Sequence, residues 1–221
     1  MKTFFAKTIF LSAAMLLGNN AMADDNFWVG AKAGTLGFGV EASWRPIPWF
    51  DIRAGANRFD YDFSGAQSGI NYNATLALDT YYATANFRFP LSPFRLTLGG
   101  YANGNEAQLS SLPASSYLIG DNPIPYTGAD VGTVHSTVSF DGTAPYFGAG
   151  FDFNIAGRLG FAFDFGVLWQ GAPIVVATAD GLLGSDPGFL ADLEQERLSL
   201  QEDAENLKAY PVVSIGLNFN F

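Results

Sequence analysis

His135 is the only histidine in the chain, and it is the residue whose type most readily suggests catalysis. A histidine beside a hydroxyl can serve as general base toward a serine nucleophile. Ser136 follows it directly, and Ser139 is close by. On a strand, neighbours point to opposite faces, so Ser136 turns away from His135 while Thr137 shares its side. No nucleophile motif surrounds the group. The expectation is a rim or loop histidine in a protein that is not an enzyme. No spacing suggests an EF-hand or another cofactor site.

A second set of residues could do electrostatic work. Lys32, Glu41, Arg45, Asp51, Arg53, Arg88, Arg95, Asp152 and Asp164 each fall on the polar side of an alternating segment. Their signs are mixed. Held inside a narrow barrel, such charges must pair and hydrogen-bond. That predicts a plugged, self-neutralised lumen. The alternative is a narrow path for small solutes.

The segments that carry these charges read as strands. Trp44 and Arg45 end one alternating run, and Phe50 to Asn57 begins the next. Tyr81 to Phe89, Phe94 to Asn103, Phe147 to Phe153 and Leu159 to Gln170 continue the period of two. An apolar face with a small or polar opposite face is the β signature. The apolar phase flips at Thr35–Leu36 and again at Arg58, after which Phe59, Tyr61 and Phe63 face together. Ser64 to Asn73 reads as a polar loop, and so does 104–133. Short turns and long loops alternate, and aromatics crowd the short-turn ends. This is the arrangement of transmembrane barrels. Parity favours about eight strands, with ten as the alternative if 104–133 hides another hairpin. A wide pore is excluded at that count.

One stretch breaks the pattern. Asp186–Pro187 reads as an N-cap with proline at the first helical position. Leu193, Leu200 and Leu207 then recur every seven residues. An amphipathic helix over 188–208 follows, with Asp192, Glu194, Glu196, Glu202, Asp203 and Glu205 on its other side. It belongs to the last external loop, where it would act as a lid.

Composition and the N-terminus point to export. Lys2 and Lys7 precede the apolar run 8–17, and Ala21-Met22-Ala23 is a small-x-small cleavage site. Residues 1–23 read as a signal peptide and 24–221 as the barrel domain. No later apolar run is long enough for a membrane helix. Cysteine is absent, and the formal charge of −10 argues against nucleic acid as a partner.

The closing residues Val213 to Phe221 alternate without a break and finish Asn218-Phe219-Asn220-Phe221. Together with the export signal and the short inner turns, this resembles small bacterial outer-membrane barrels of the OmpA/OmpX/OmpW type. The resemblance is architectural and covers the mature chain. It implies an all-β, antiparallel transmembrane barrel in the outer membrane, monomeric, in contact with outer-membrane lipids and lipopolysaccharide. It also implies that Phe219 and Phe221 are read by the outer-membrane assembly machinery. A structural or surface-interaction role in the envelope is expected. A narrow solute channel is the runner-up, and a lipid-modifying enzyme comes third.

Overall fold

The computed structural model describes residues 26–67 and 70–220. The expected signal peptide, 1–23, and Phe221 lie outside the described residues.

The alternating segments form β1 (Phe27–Gly34), β2 (Gly37–Ile47), β3 (Phe50–Gln67), β4 (Ile70–Arg88) and β5 (Phe94–Asn103). There follow β6 (Glu106–Ser111), the small ribbon β7 (Ser116–Tyr117) and β8 (Tyr126–Thr127), a single helical turn α1 (Gly128–Val131), and β9 (Val134–Ser139). Then come β10 (Thr143–Ala156), β11 (Leu159–Trp169), β12 (Ile174–Ala179), the helix α2 (Pro187–Ala204) and β13 (Ala209–Asn220).

Eight of these strands close on themselves. The order is β1, β2, β3, β4, β5, β10, β11, β13, and β13 pairs back onto β1 from Trp28↔Asn220 to Gly34↔Ser214. The ten-strand alternative is overturned. The 104–133 stretch does contain strands, but they pair outside the ring. β6 runs along the upper half of β4, β9 along β6, and β12 along β9. The ring below them is already complete.

Above the ring the wall therefore continues on one side only. β3 and β4 are simply tall, paired without a register break from Phe50↔Phe87 to Gln67↔Ile70. Residues 64–67 and 70–73 are thus strand rather than loop, because they pair across the hairpin from Ser64↔Asn73 to Gln67↔Ile70. β5 passes into β6 at Gly104–Asn105, β9 into β10 across 140–142, and β11 into β12 across 170–173. The result is a five-stranded half-pipe standing on a closed barrel. Its gap lies over β1, β2 and β13. The β1–β2 turn at Thr35–Leu36 is as short as the turns at the opposite end, so the expected strict alternation of short and long connections fails at this first hairpin.

Side-chain chemistry inverts where the half-pipe begins, although the strand parity does not. On β3, Asp51, Arg53, Gly55 and Asn57 face inward, and Phe59, Tyr61 and Phe63 continue the same inward row. Outward, Ile52, Ala54 and Ala56 give way to Arg58, Asp60 and Asp62. The phase shift read at Arg58 is thus a change of surroundings. Below it the outside is apolar and the inside polar, as lipid demands. Above it the outside is polar and the inside apolar, as for any sheet in water. The outer edge of the hydrocarbon band lies between Ala56/Tyr81 and Arg58/Asp79.

At the other end an aromatic collar marks the inner edge. Trp49, Phe87, Phe89, Phe94 and Phe151 touch in succession, with ring centroids 5.4–5.8 Å apart. Aromatic girdles of this kind sit at membrane interfaces. No helix among the described residues is long and apolar enough to cross a membrane.

Helix α2 fills the concave side of the half-pipe, packing on β12 and β9. Asp186 caps it as expected, accepting from the Phe189 N–H at 2.9 Å. The buried stripe differs from the heptad leucines. Phe189, Leu193, Glu196, Leu200 and Ala204 face inward, a spacing that follows the 3.6-residue turn. Leu207 lies beyond the helix in a 3-10 turn and is 47% exposed. The helix ends at Ala204 rather than Lys208, so Leu207 leaves the predicted stripe.

Candidate functional site

Eight of the nine charged residues picked from the alternation converge inside the barrel. Arg53 Nη2 donates to Asp152 Oδ2 at 2.8 Å, its Nη1 to Glu41 at 3.4 Å and its Nε to Asp51 at 3.3 Å. Arg88 bridges Asp51 and Asp152. Arg95 Nε donates to Asp152 Oδ2 at 3.0 Å, and its Nη2 faces Asp164. Its Nη1 reaches Asn86 Oδ1 and Thr97 Oγ1 at 3.0 and 2.8 Å. Lys32 stands 3.8 Å from Glu41 and 4.0 Å above the Tyr82 ring. Arg95 is 1% exposed. A guanidinium so placed must satisfy its fork of donors within the protein, and these partners do so.

Arg45 is the exception. It lies at the short-turn mouth over the Trp28 ring, 5.7 Å from its centroid, and its Nε finds no hydrogen-bond partner among the described residues. It belongs to the vestibule rather than to the network.

Two layers above the charges were not picked out from the sequence. Tyr82 stacks on Tyr101 with centroids 4.9 Å apart and Tyr146 tilts against Tyr101 at 5.3 Å, a layer across the lumen packed with Leu36, Ala144, Leu168 and Val212. Tyr82 also donates to Glu41 at 2.8 Å. Gly148 and Gly166 make room for Tyr146. A Cβ on either would come within 2.5 Å of the phenol oxygen. Higher still, Gln170 accepts from Asn103 and Asn105 at 3.2 and 3.1 Å and donates to the Leu207 carbonyl at 3.1 Å. The signal was present: large polar residues on the small-residue side of a membrane strand. Their meeting depends on strand stagger, which one sequence does not display.

The space left is small. A cavity of about 130 Å³ lies at the short-turn mouth, and one of about 20 Å³ among Lys32, Arg53, Tyr82 and Arg95. The smaller volume is near that of a single water.

His135 lies outside the barrel, on the polar outer face of β9. The strand register places Ser110 of β6 opposite it, with Oγ 3.1 Å from Nδ1. Its Nε2 lies 3.6 Å from Asp180 Oδ2. Ser136 turns inward and is buried, as its parity requires. The three side chains form a Ser–His–Asp chain on an open sheet face.

Asp180 does have a structural task. Its Oδ1 accepts from the Thr133 N–H at 2.6 Å, clasping the end of β12 to the start of β9. That backbone bond, with the help of His135, holds its carboxyl below the usual aspartate value of about 4. The unfolded chain takes up this proton more readily than the folded one. The clasp therefore adds stability above the unfolded value and loses it as pH falls through the lowered folded one. Acidification through about pH 4 is expected to speed amide exchange in Ile174–Ala179 relative to intrinsic rates, and unchanged protection there would refute the clasp.

The outermost surface is acidic. Arg58, Arg197 and Lys208 are the cations above the membrane edge among the described residues, against a much larger set of carboxylates.

No family model and no curated protein matches the chain. Solved structures that resemble it in fold include two from Acinetobacter baumannii. Acinetobacter baumannii CarO2 superposes with a TM-score of 0.59 at 22% identity, covering 89% of this chain and 98% of that one. Acinetobacter baumannii CarO gives 0.58 at 23% identity, covering 88% and 97%. With the closed ring and the apolar belt already in view, this decides the fold. It is a closed eight-stranded antiparallel β-barrel with an apolar belt, the build of a transmembrane barrel. A closed barrel with an apolar exterior is one of the two structures that can span a bilayer.

Proposed function

We propose that the protein is a structural and surface-interaction component of the outer membrane whose lumen is closed by its own side chains. The observation that carries this reading is Arg95, buried between Asp152 and Asp164 beneath a layer of three tyrosines. Any solute path would have to break that pairing and displace the phenols. In an eight-stranded barrel the interior is about wide enough for side chains alone.

Function then falls to the outside. The acidic half-pipe stands where lipopolysaccharide head groups lie, and divalent cations would bridge its carboxylates to their phosphates. Outer-membrane lipid, lipopolysaccharide and the assembly machinery are the partners, and nucleic acid is not. Phe219 presents its ring outward near the inner edge, and the terminal strand would be what the machinery reads. The protein works as a monomer, without a cofactor and without catalysis.

Liposome swelling tests the reading against transport. Folded protein should admit small neutral, cationic and anionic solutes no faster than lipid alone. Swelling in any of them would replace the structural role with a channel.

A further inference from the structure

The gap in the half-pipe leaves one apolar surface uncovered. Phe59, Tyr61 and Phe63 rise along the inner face of β3, with successive ring centroids 6.3 and 6.0 Å apart and planes within 17°. Tyr61 is 54% exposed and Phe63 43%. The dome around α2 covers β4, β6, β9 and β12 but does not reach β3. The short β1–β2 hairpin stops beneath it.

At the base of this ladder is a cavity of about 270 Å³. Leu76 and Leu78 are among its lining residues, and Tyr210, bonded to the Thr35 carbonyl at 2.7 Å, also borders it. No charged side chain lines it. Phe38 lies at its lip. That residue is 66% exposed, belongs to the outward row of β2, and meets the Phe59 ring edge-on at 5.9 Å. The groove is thus continuous with the lipid-facing belt at the outer edge of the membrane.

We propose that this lateral groove holds one hydrocarbon chain of an outer-leaflet lipid, drawn up from the bilayer past Phe38 and laid along the aromatic ladder. Continuity with the belt supplies the occupant, and burial of the rings supplies the driving force. Pairing of the free β3 edge with a second copy is disfavoured. An antiparallel pair centred on Tyr61 would set Asp60 against the Asp62 of the other copy, and like charges facing each other destabilise a ladder. The proposal rests on the barrel's membrane location and not on whether its lumen conducts.

The test is nuclear Overhauser spectroscopy on the full barrel in dimyristoylphosphatidylcholine nanodiscs, with only Phe and Tyr rings protonated. Phe147, on the outward row of β10, is the lipid-facing control. Cross peaks from chain methylenes to Tyr61 and Phe63, as well as to Phe147, are expected. Water peaks alone at Tyr61 and Phe63, with chain peaks at Phe147, would overturn the proposal. Tyr61→Asp puts a charge in the groove and should abolish the chain peaks at Phe63 while keeping those at Phe147. Chain peaks at Phe63 that persist in the variant would mean general immersion of the strand, which also overturns it.

Discussion

Arg95→Met is expected to destabilise the barrel by about 3–5 kcal/mol, the usual cost of removing one partner from a buried ion pair. Asp164 loses the guanidinium that faces it, and Asn86 and Thr97 lose a donor. Asp152 keeps Arg53 and Arg88. The cost therefore comes chiefly from a carboxylate stranded away from water rather than from lost attraction. Urea unfolding of the protein in lipid vesicles, followed by tryptophan fluorescence, would read the loss as a lower midpoint. The double variant Arg95→Met/Asp164→Leu removes both charges and should recover a large part of it. Equal midpoints for wild type and the single variant would show that the network carries no stability.

Phe189→Ala is expected to release the external helix without opening the barrel. Phe189 is fully buried against Tyr72, Tyr117, Ile119, Val131 and Val134, and its ring meets Tyr126 edge-on at 5.1 Å. Truncating such a ring costs about 3–5 kcal/mol. Most of the buried apolar contact of this dome is made by α2 and the loop around β7 and β8, so the loss falls on one local unit. External protease should cut the variant between 182 and 208 while the wild type resists, and heat-modifiable gel migration of the barrel should persist in both. Collapse of the barrel along with the helix would show that the two are one cooperative unit.

How far the sequence revealed this architecture depended on which solvent each strand meets. The membrane strands were plain because lipid outside and charge inside produce opposite faces at every step, as in Leu159 to Gln170. The tall half of the β3–β4 hairpin reads as a loop between Ser64 and Asn73, since its outer face is polar and it contains glycine. The reversal at Arg58 was the available signal. A strand whose apolar row changes face without a turn has passed from one solvent to another. The helix is legible from its proline and cap, but three leucines at heptad spacing point to the wrong stripe. Phe189 and Leu193 at i and i+4, with Leu200 and Ala204 further on, follow the true period of a helix packed on a sheet. Strand face alone places eight of the nine charges in one network. Arg45 lies outside it because it sits in the register break of β2 between Trp44↔Ile52 and Ile47↔Phe50. The pairing of His135 with Ser110 instead of Ser136 needed the β6–β9 register, which no local pattern encodes.

The central claim is a lumen closed by Arg53, Arg88 and Arg95 on Asp51, Asp152 and Asp164 beneath three tyrosines. Planar-bilayer recording of the folded wild-type protein tests it most directly. The account predicts a flat current with no discrete steps at any salt concentration that leaves the barrel folded. Regular unitary openings of the wild type, with a conductance that scales with salt, would contradict it.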